Sequence, residues 1–168
     1  QKGLPVSDEH RSAHDAPSDM HLDLRERPER YFAGSACLPG ERLLMLDALT
    51  GWWPGAGESG LGRLRAQGAV DAGAWFFKAH FFQDPVQPGS LGLEAMLQLL
   101  QVAMLELGMD EGMTSPRFEP IALGEPLTWL YRGQVIVDDE MVTVTMDLTE
   151  RGEDERGEPL LHDPSGIH

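Results

Sequence analysis

The stretch from Leu91 to Leu107 constrains the fold more than any other part of this sequence, because most of its residues are apolar. Leucine, methionine, alanine and valine predominate, and most of these residue types favour the α-helix. Ser90 is suited to cap the start of such a helix, and Gly108 is suited to end it. The apolar residues do not keep to one stripe of the predicted helix. A helix of this kind is buried, so the rest of the chain must cover it.

Three polar side chains in the predicted helix follow helical spacing. Glu94, Gln98 and Gln101 stand at positions i, i+4 and i+7, so they share one face. These residues and the limited length argue against a membrane span. Two interpretations stay open: the face contacts solvent or a neighbouring subunit, or it lines a functional site. Spacing alone favours the first, because amphipathic stripes are common.

His80 lies in an aromatic run, residues 75–82, which is typical of a strand. A lone histidine in such a run is more often a packed, hydrogen-bonded residue than a catalyst. However, a turn over residues 83–89 brings Pro88 and Gly89 to the start of the helix, where main-chain N–H groups are free. A base, an acid and amide donors thus lie close in sequence. Such groups can remove a proton beside a carbonyl and stabilise the resulting oxyanion.

Several segments predict an antiparallel sheet around the helix. Residues 61–70 place Arg63 and Arg65 on one face of a strand and Leu64 on the other. Residues 126–137 and 141–149 predict two strands of a hairpin with a turn at 138–140. The run 42–49 suits a strand or a short helix followed by a strand, residues 51–62 predict a turn, and residues 109–120 and 151–159 predict loops. A helix that is apolar on all sides requires strands wrapped around it, which indicates an α+β architecture.

Composition limits the class of protein. A length of 168 residues suits one domain, and a net charge of -15 argues against nucleic-acid binding. The single cysteine, Cys37, excludes an internal disulfide and fits a reducing compartment. No segment resembles a signal peptide or a membrane span. We therefore expect a cytoplasmic protein.

The first 37 residues are largely polar, with three prolines and scattered charge, which predicts a flexible linker or arm, with the folded domain at residues 38–168. Two local patterns resemble binding motifs, but neither predicts a binding site. His10, His14 and His21 lack helix support and an accompanying cysteine, so we expect no metal site. The glycines at 55, 57 and 60 match a dinucleotide-binding string, but no helix pattern follows them.

The residues around His80 and Glu94 carry a family resemblance. Residues 80–99, HFFQDPVQPGSLGLEAMLQL, resemble the active-site signature of the hotdog-fold β-hydroxyacyl-acyl-carrier-protein dehydratases, in particular the β-hydroxydecanoyl type. Residues 75–94 resemble, more narrowly, the dehydratase domains of polyunsaturated fatty acid synthases and related polyketide synthases. Glu94 stands where the β-hydroxydecanoyl type has Asp, whereas the sister dehydratases have Glu. The family's last strand is not recognisable after Leu161.

The resemblance implies a hotdog fold and a role for each residue of the signature. His80 would take the C2 proton of a 3-hydroxyacyl thioester, and Glu94 would give a proton to the departing 3-hydroxyl. Desolvation in an apolar tunnel would keep that carboxyl protonated. Gln98 would orient Glu94, and the main chain at Gly89 and Ser90 would polarise the thioester carbonyl. No metal or other cofactor is implied. The side chains expected to line the substrate tunnel are Phe81, Phe82, Val86, Pro88, Leu91 and Leu97.

The family also implies partners. The acyl chain arrives on the phosphopantetheine arm of an acyl carrier protein, which is usually acidic. Two hotdogs pair and share each active site, so we expect a homodimer or pairing with a neighbouring hotdog of a larger synthase. Two alternatives stay open: a non-catalytic hotdog in a pseudodimer, and a hotdog thioesterase or enoyl-thioester hydratase. Residues expected to dock the carrier are Arg63, Arg65, Lys78, Arg117 and Arg132.

Overall fold

The computed structural model describes residues 16–18, 20–81, 83–119, 133–153 and 159–162, and for residues 153 and 159–162 it describes the main chain alone. Within these residues, four antiparallel strands form one sheet in the order β1-β2-β3-β4. They are β1 (Leu22–Asp23), β2 (Ala48–Trp53), β3 (Arg63–Ala69) and β4 (Met141–Asp147). A separate antiparallel pair consists of β5 (Glu150–Glu153) and β6 (Pro159–His162). The α-helices are α1 (Glu29–Phe32), α2 (Trp75–Ala79) and α3 (Gly89–Glu106), and a 3-10 turn spans Leu24–Glu26.

The long helix α3 packs on one face of the sheet and confirms the predicted α+β architecture. Its buried apolar residues from Ala95 to Leu105 enter the main hydrophobic cluster together with buried residues of β2, β3 and β4. The start of α3 differs from the prediction, because Leu91 N–H already bonds to the Pro88 carbonyl and Ser90 therefore lies inside the first turn rather than at the cap. Gly108 follows the helix with a φ of +67°, as a helix-ending glycine does.

The strands β3 and β4 follow the predicted alternation. Leu64 and Ala66 of β3 are buried, whereas Arg63 and Arg65 lie on the other face. β4 pairs with β3 along its length. In the other strand of the predicted hairpin, residues 126–132 lie outside the described residues and residues 133–137 form no regular strand. The hairpin therefore stays a prediction.

The aromatic run does not form the predicted strand. Residues 75–79 form α2, and His80 follows as its C-terminal cap residue. Phe76 and Phe77 are both buried, whereas Trp75 and Lys78 are exposed. Adjacent residues of a strand point to opposite faces, so a strand would bury one of this phenylalanine pair and expose the other. A helical turn buries both against Leu91.

The second half of the predicted linker belongs to the folded domain. Strand β1 pairs with β2, Leu24 is fully buried, and Tyr31 is 4% exposed. These elements are two to four residues long, which is too short for a visible hydrophobic period. The linker prediction is therefore wrong for residues 20–37, and residues 1–15 lie outside the described residues.

Two other predicted loops contain strands. Residues 51–53 complete β2, where a Cβ on Gly51 would lie 2.0 Å from the Trp53 ring. This glycine makes room for the indole, although glycine is otherwise rare in strands. The predicted loop at 151–159 contains most of β5 and the first residue of β6. Residues 109–119 contain no helix or strand, which confirms that part of the predicted loop. Within the described ranges, no helix is long and apolar enough to cross a membrane.

Candidate active site

His80 ends α2 with a defined ring orientation. Its main-chain N–H donates to the Phe76 carbonyl at 2.9 Å, which closes the last turn. Its Nδ1 lies 3.1 Å from the carbonyl oxygen of Val86. A carbonyl oxygen can only accept, so Nδ1 carries the hydrogen and donates it. In the neutral ring Nε2 then keeps its lone pair, which makes this atom the one that can take up a proton.

The turn after α2 keeps the Val86 carbonyl in place. Val86 is 5% exposed and forms a bridge to Ile136, and Gln87 N–H donates to the Val135 carbonyl at 2.9 Å. Between His80 and this anchor, Phe81 and Gln83 have φ values of 57° and 61°. Positive φ is unfavourable for residues with a side chain and occurs often near functional sites.

Glu94 is held by a single buried amide. The Gln98 Nε2 group donates to Glu94 Oε1 at 2.8 Å, one helical turn away. Gln98 is fully buried, and it is the only polar side chain classed as buried in the described part of the chain. Its second N–H donates to the Leu43 carbonyl at 2.7 Å, and its Oε1 accepts from Met45 N–H at 2.9 Å. The Met45 donor fixes which amide atom is oxygen, so the nitrogen must face Glu94.

The other predicted site residues lie around these two centres. Gly89 and Ser90 begin α3, where N–H groups have no acceptor within the helix. Phe81 lies at the surface of this chain, with 64% of the residue exposed. Its ring centroid lies 4.1 Å from that of His80. Phe82 lies outside the described residues. Of the remaining predicted tunnel residues, two are buried (Val86, Leu91) and two are half-buried (Pro88, Leu97).

The described contacts form two groups. His80 contacts Val86 and Phe81, whereas Glu94 contacts Gln98. No hydrogen bond between described residues joins His80 with Glu94. The shared site predicted from the family therefore stays a prediction.

The residues expected to dock a carrier differ in their surroundings. Arg63 pairs with Asp147, with 2.6 Å between Nη2 and Oδ2. Arg65 donates to the Thr50 hydroxyl and carbonyl, and its guanidinium lies over the Trp53 ring. Lys78 and Arg117 are exposed, and Lys78 stands two residues before His80. Arg132 lies outside the described residues.

Sequence patterns did not reveal that Gln98 bonds to the Leu43 carbonyl and the Met45 N–H, because both of these partners are main-chain groups. They also did not reveal that Trp75 Nε1 donates to the Arg42 carbonyl at 3.0 Å. Any residue can offer a main-chain group, so no residue type marks these contacts. Among the described residues, no group of three or more His, Cys, Asp or Glu side chains could hold a metal ion.

A comparison with protein families agrees with the fold and with the signature around His80. The model of the FabA-like domain matches residues 38–162, which is well over half of the chain and includes α2, α3, His80 and Glu94. This family comprises hotdog-type dehydratases, and its activity is of the hydroxyacyl dehydratase and isomerase type in fatty acid biosynthesis. The chain thus belongs to the FabA-like domain family, and its sheet packed against α3 is a hotdog fold.

Proposed function

We propose that this chain dehydrates 3-hydroxyacyl thioesters carried on an acyl carrier protein to trans-2-enoyl thioesters, in cytoplasmic fatty acid or polyketide biosynthesis of the polyunsaturated fatty acid synthase type. One observation carries the proposal. His80 Nδ1–H donates to the Val86 carbonyl, which leaves the Nε2 lone pair available. A neutral imidazole held in this way is a general base for the C2 proton.

Glu94 supplies the acid in this proposal. The Gln98 N–H donates to Glu94 Oε1, so Oε2 is the oxygen that faces the substrate and gives the proton in this proposal. The C2–H electrons form the C2–C3 double bond as the C3–O bond breaks, and the hydroxyl leaves as water with the Glu94 proton. The imidazolium proton returns to the carboxylate to complete the cycle. The main-chain N–H of Gly89 or Ser90 polarises the thioester carbonyl.

The substrate class and partners follow from the same chemistry. A 3-hydroxyacyl thioester requires no metal or organic cofactor for this elimination, because acid and base are both side chains. Lys78 is exposed on α2, where it can attract an acidic carrier protein although the chain is acidic overall. Arg117 is also exposed, whereas Arg63 and Arg65 already bind groups of the chain.

The test is turnover of 3-hydroxyacyl thioesters of several chain lengths, carried on acyl carrier protein and on coenzyme A. Formation of the enoyl thioester and release of free thiol are followed separately. We expect enoyl product, and His80→Ala should lower turnover by about 10²–10⁴. The matched control is His21→Ala, an exposed histidine that lies before β1. Free thiol instead of enoyl product would identify a thioesterase, and no turnover of any substrate would indicate a non-catalytic hotdog.

Assembly is tested by mixing two inactive variants. If each site takes His80 from one chain and Glu94 from another, mixed dimers of His80→Ala and Glu94→Gln regain one working site. With equal amounts, half of the dimers are mixed and one of their two sites works, so we expect about a quarter of wild-type activity. A monomer in light scattering, or no recovery after subunit exchange, would contradict a homodimeric site and favour a neighbouring hotdog.

A further inference from the structure

Residues 42–45 form a short irregular segment that contacts α2, α3 and β3. We propose that this segment, the 42–45 strap, positions Glu94 for the reaction, and that Trp75 and Gly68 are positioning residues that act through it. The proposal rests on the function proposed above for Glu94. Three independent contacts hold the strap, and each one engages its main chain.

The contact with α3 runs through Gln98. Its amide nitrogen donates to the Leu43 carbonyl, and its amide oxygen accepts from Met45 N–H. Two strap atoms therefore fix the plane of this amide. The remaining N–H has one direction left to point, and it meets Glu94 Oε1 at 2.8 Å. If the strap moves, the amide must turn with it or leave a buried polar group unpaired, which is costly.

The contact with α2 runs through Trp75. Its indole Nε1–H donates to the Arg42 carbonyl at 3.0 Å, one residue before the carbonyl that Gln98 binds. Trp75 is 51% exposed, so burial of its ring is incomplete. Trp75 also begins the helix that ends at His80. One segment of main chain thus joins the helix that carries the base to the amide that holds the acid.

The contact with β3 limits where the strap can go. A Cβ at Gly68 would lie 2.4 Å from the Met45 carbonyl oxygen, a main-chain atom that cannot rotate away. After the strap, Asp47 N–H donates to the Gln67 carbonyl at 2.8 Å, and the Asp47 carboxylate accepts from Ala69 N–H at 2.7 Å. The strap therefore lies between β3 and α3 with its exit fixed to β3.

The first experiment compares Trp75→Phe with Trp53→Phe. Both indoles donate to a main-chain carbonyl at 3.0 Å, but Trp53 bonds to Pro17, away from the strap. Turnover is measured together with hydrogen exchange of the Gln98 side-chain amide and the Met45 main-chain amide by NMR. For Trp75→Phe we expect about a 3- to 10-fold lower kcat with unchanged KM, and faster exchange at both amides, the size of effect that one lost hydrogen bond allows. Trp53→Phe should leave kcat, KM and the exchange at both amides unchanged.

The second experiment pushes the strap instead of releasing it. Gly68→Ala should displace the Met45 carbonyl, lower kcat and alter the Gln98 amide signals. Gly152→Ala is the matched control, because a Cβ there also meets nothing within 4 Å and the residue lies in β5, outside the strap. If the Met45 and Gln98 amides exchange at the wild-type rate in both Trp75→Phe and Gly68→Ala, Trp75 and Gly68 do not hold the strap. Altered exchange with unchanged kcat would overturn its role in positioning. If the wild-type chain shows no dehydration, the proposed function fails, and the positioning role fails with it. The exchange data then still decide whether Trp75 and Gly68 hold the strap.

Discussion

The two ends of α3 are stabilised in different ways. At its C-terminal end, side chains of α1 bind the helix: the Tyr31 hydroxyl donates to Glu106 at 2.7 Å, and Arg30 forms two 2.9 Å bonds to Asp110. Arg30 also donates to the Leu105 carbonyl, which accepts from the Gly108 N–H as well. At the N-terminal end, Pro88 precedes the helix and no side chain caps it.

Two shifted pKa values also distinguish the C-terminal end of α3. Burial raises the pKa of the Tyr31 phenol, and its hydrogen bond to Glu106 adds to the increase. The hydrogen-bonded Arg30 guanidinium lowers the pKa of the Asp110 carboxyl. Both shifts lie at the C-terminal end. At the other end, the chain before α3 contains two residues with positive φ, Phe81 and Gln83, which is an unfavourable conformation.

If His80 and Glu94 act as proposed above, stability and chemistry are separated along one helix. Side-chain networks at the α1 end hold α3 in the fold, whereas His80 and Glu94 lie near the other end. Regions that bind ligands often have lower local stability than the rest of a domain. Variants at the two ends should therefore change different measurements.

The largest expected effect is on turnover at the N-terminal end. Glu94→Gln keeps the shape of the side chain and an acceptor for Gln98, but it removes the transferable proton. We expect turnover to fall by about 10²–10⁴, as for loss of a general acid. The free energy of unfolding should stay close to that of the wild type, because the amide matches the carboxyl in size and keeps an oxygen that accepts from Gln98. Glu94→Asp should retain part of the activity. Wild-type turnover in Glu94→Gln would contradict the acid role.

The next effect is on stability at the C-terminal end. Leu105 is 1% exposed, and Leu105→Ala should lower the free energy of unfolding by about 2–5 kcal/mol. Denaturant titration measures this loss, and kcat of the folded fraction should remain close to wild type. Met104→Ala is the control, because Met104 is only half-buried and should cost less. An equal loss in both variants would contradict the assigned core face of α3.

The sequence predicted features that show as a pattern of residue types along several helical turns or along a whole strand. The length of α3, the alternation in β3 and β4 and the signature from His80 to Leu99 all belong to this class. The strand predicted at residues 75–82 was wrong because aromatic residues also suit a short helix when adjacent ones are buried. Aromatic content alone cannot separate these cases.

Contacts through the main chain account for most of what the sequence did not predict. The fixed tautomer of His80 depends on a carbonyl of Val86, and the orientation of Gln98 depends on Leu43 and Met45. Every residue has main-chain groups, so the type of residue does not indicate which of them form these bonds. Tyr31 and Leu24 were missed for another reason: their elements are shorter than one hydrophobic period.

A smaller effect is expected from the bond between α1 and α3. Tyr31→Phe keeps the buried ring and removes the hydroxyl that donates to Glu106. The free energy of unfolding should fall by about 1 kcal/mol, the typical contribution of one hydrogen bond. Because the pKa of Tyr31 is raised in the folded state, the wild type also loses stability as pH rises above the phenol's unfolded pKa, about 10, and the variant does not. Urea titrations at pH 7 and at alkaline pH measure both. A change in kcat at pH 7 would contradict the separation of the two ends.

The smallest effect concerns the exposed pair of Arg30 and Asp110, and its sign depends on pH. The pKa of Asp110 is lower in the folded chain, so its contribution is present above the unfolded value, about 3.9, and is lost as pH falls through the folded value. Asp110→Asn should therefore cost about 0.5 kcal/mol at pH 7, as partly exposed pairs do, and progressively less in acid. Asp71→Asn is the control, because the Asp71 carboxylate accepts from Gly73 N–H, which an amide oxygen can also accept. Denaturation of all three proteins across this pH range measures the difference. A cost that stays constant from pH 7 into acid would show that Asp110 acts through hydrogen bonding or packing rather than through its charge.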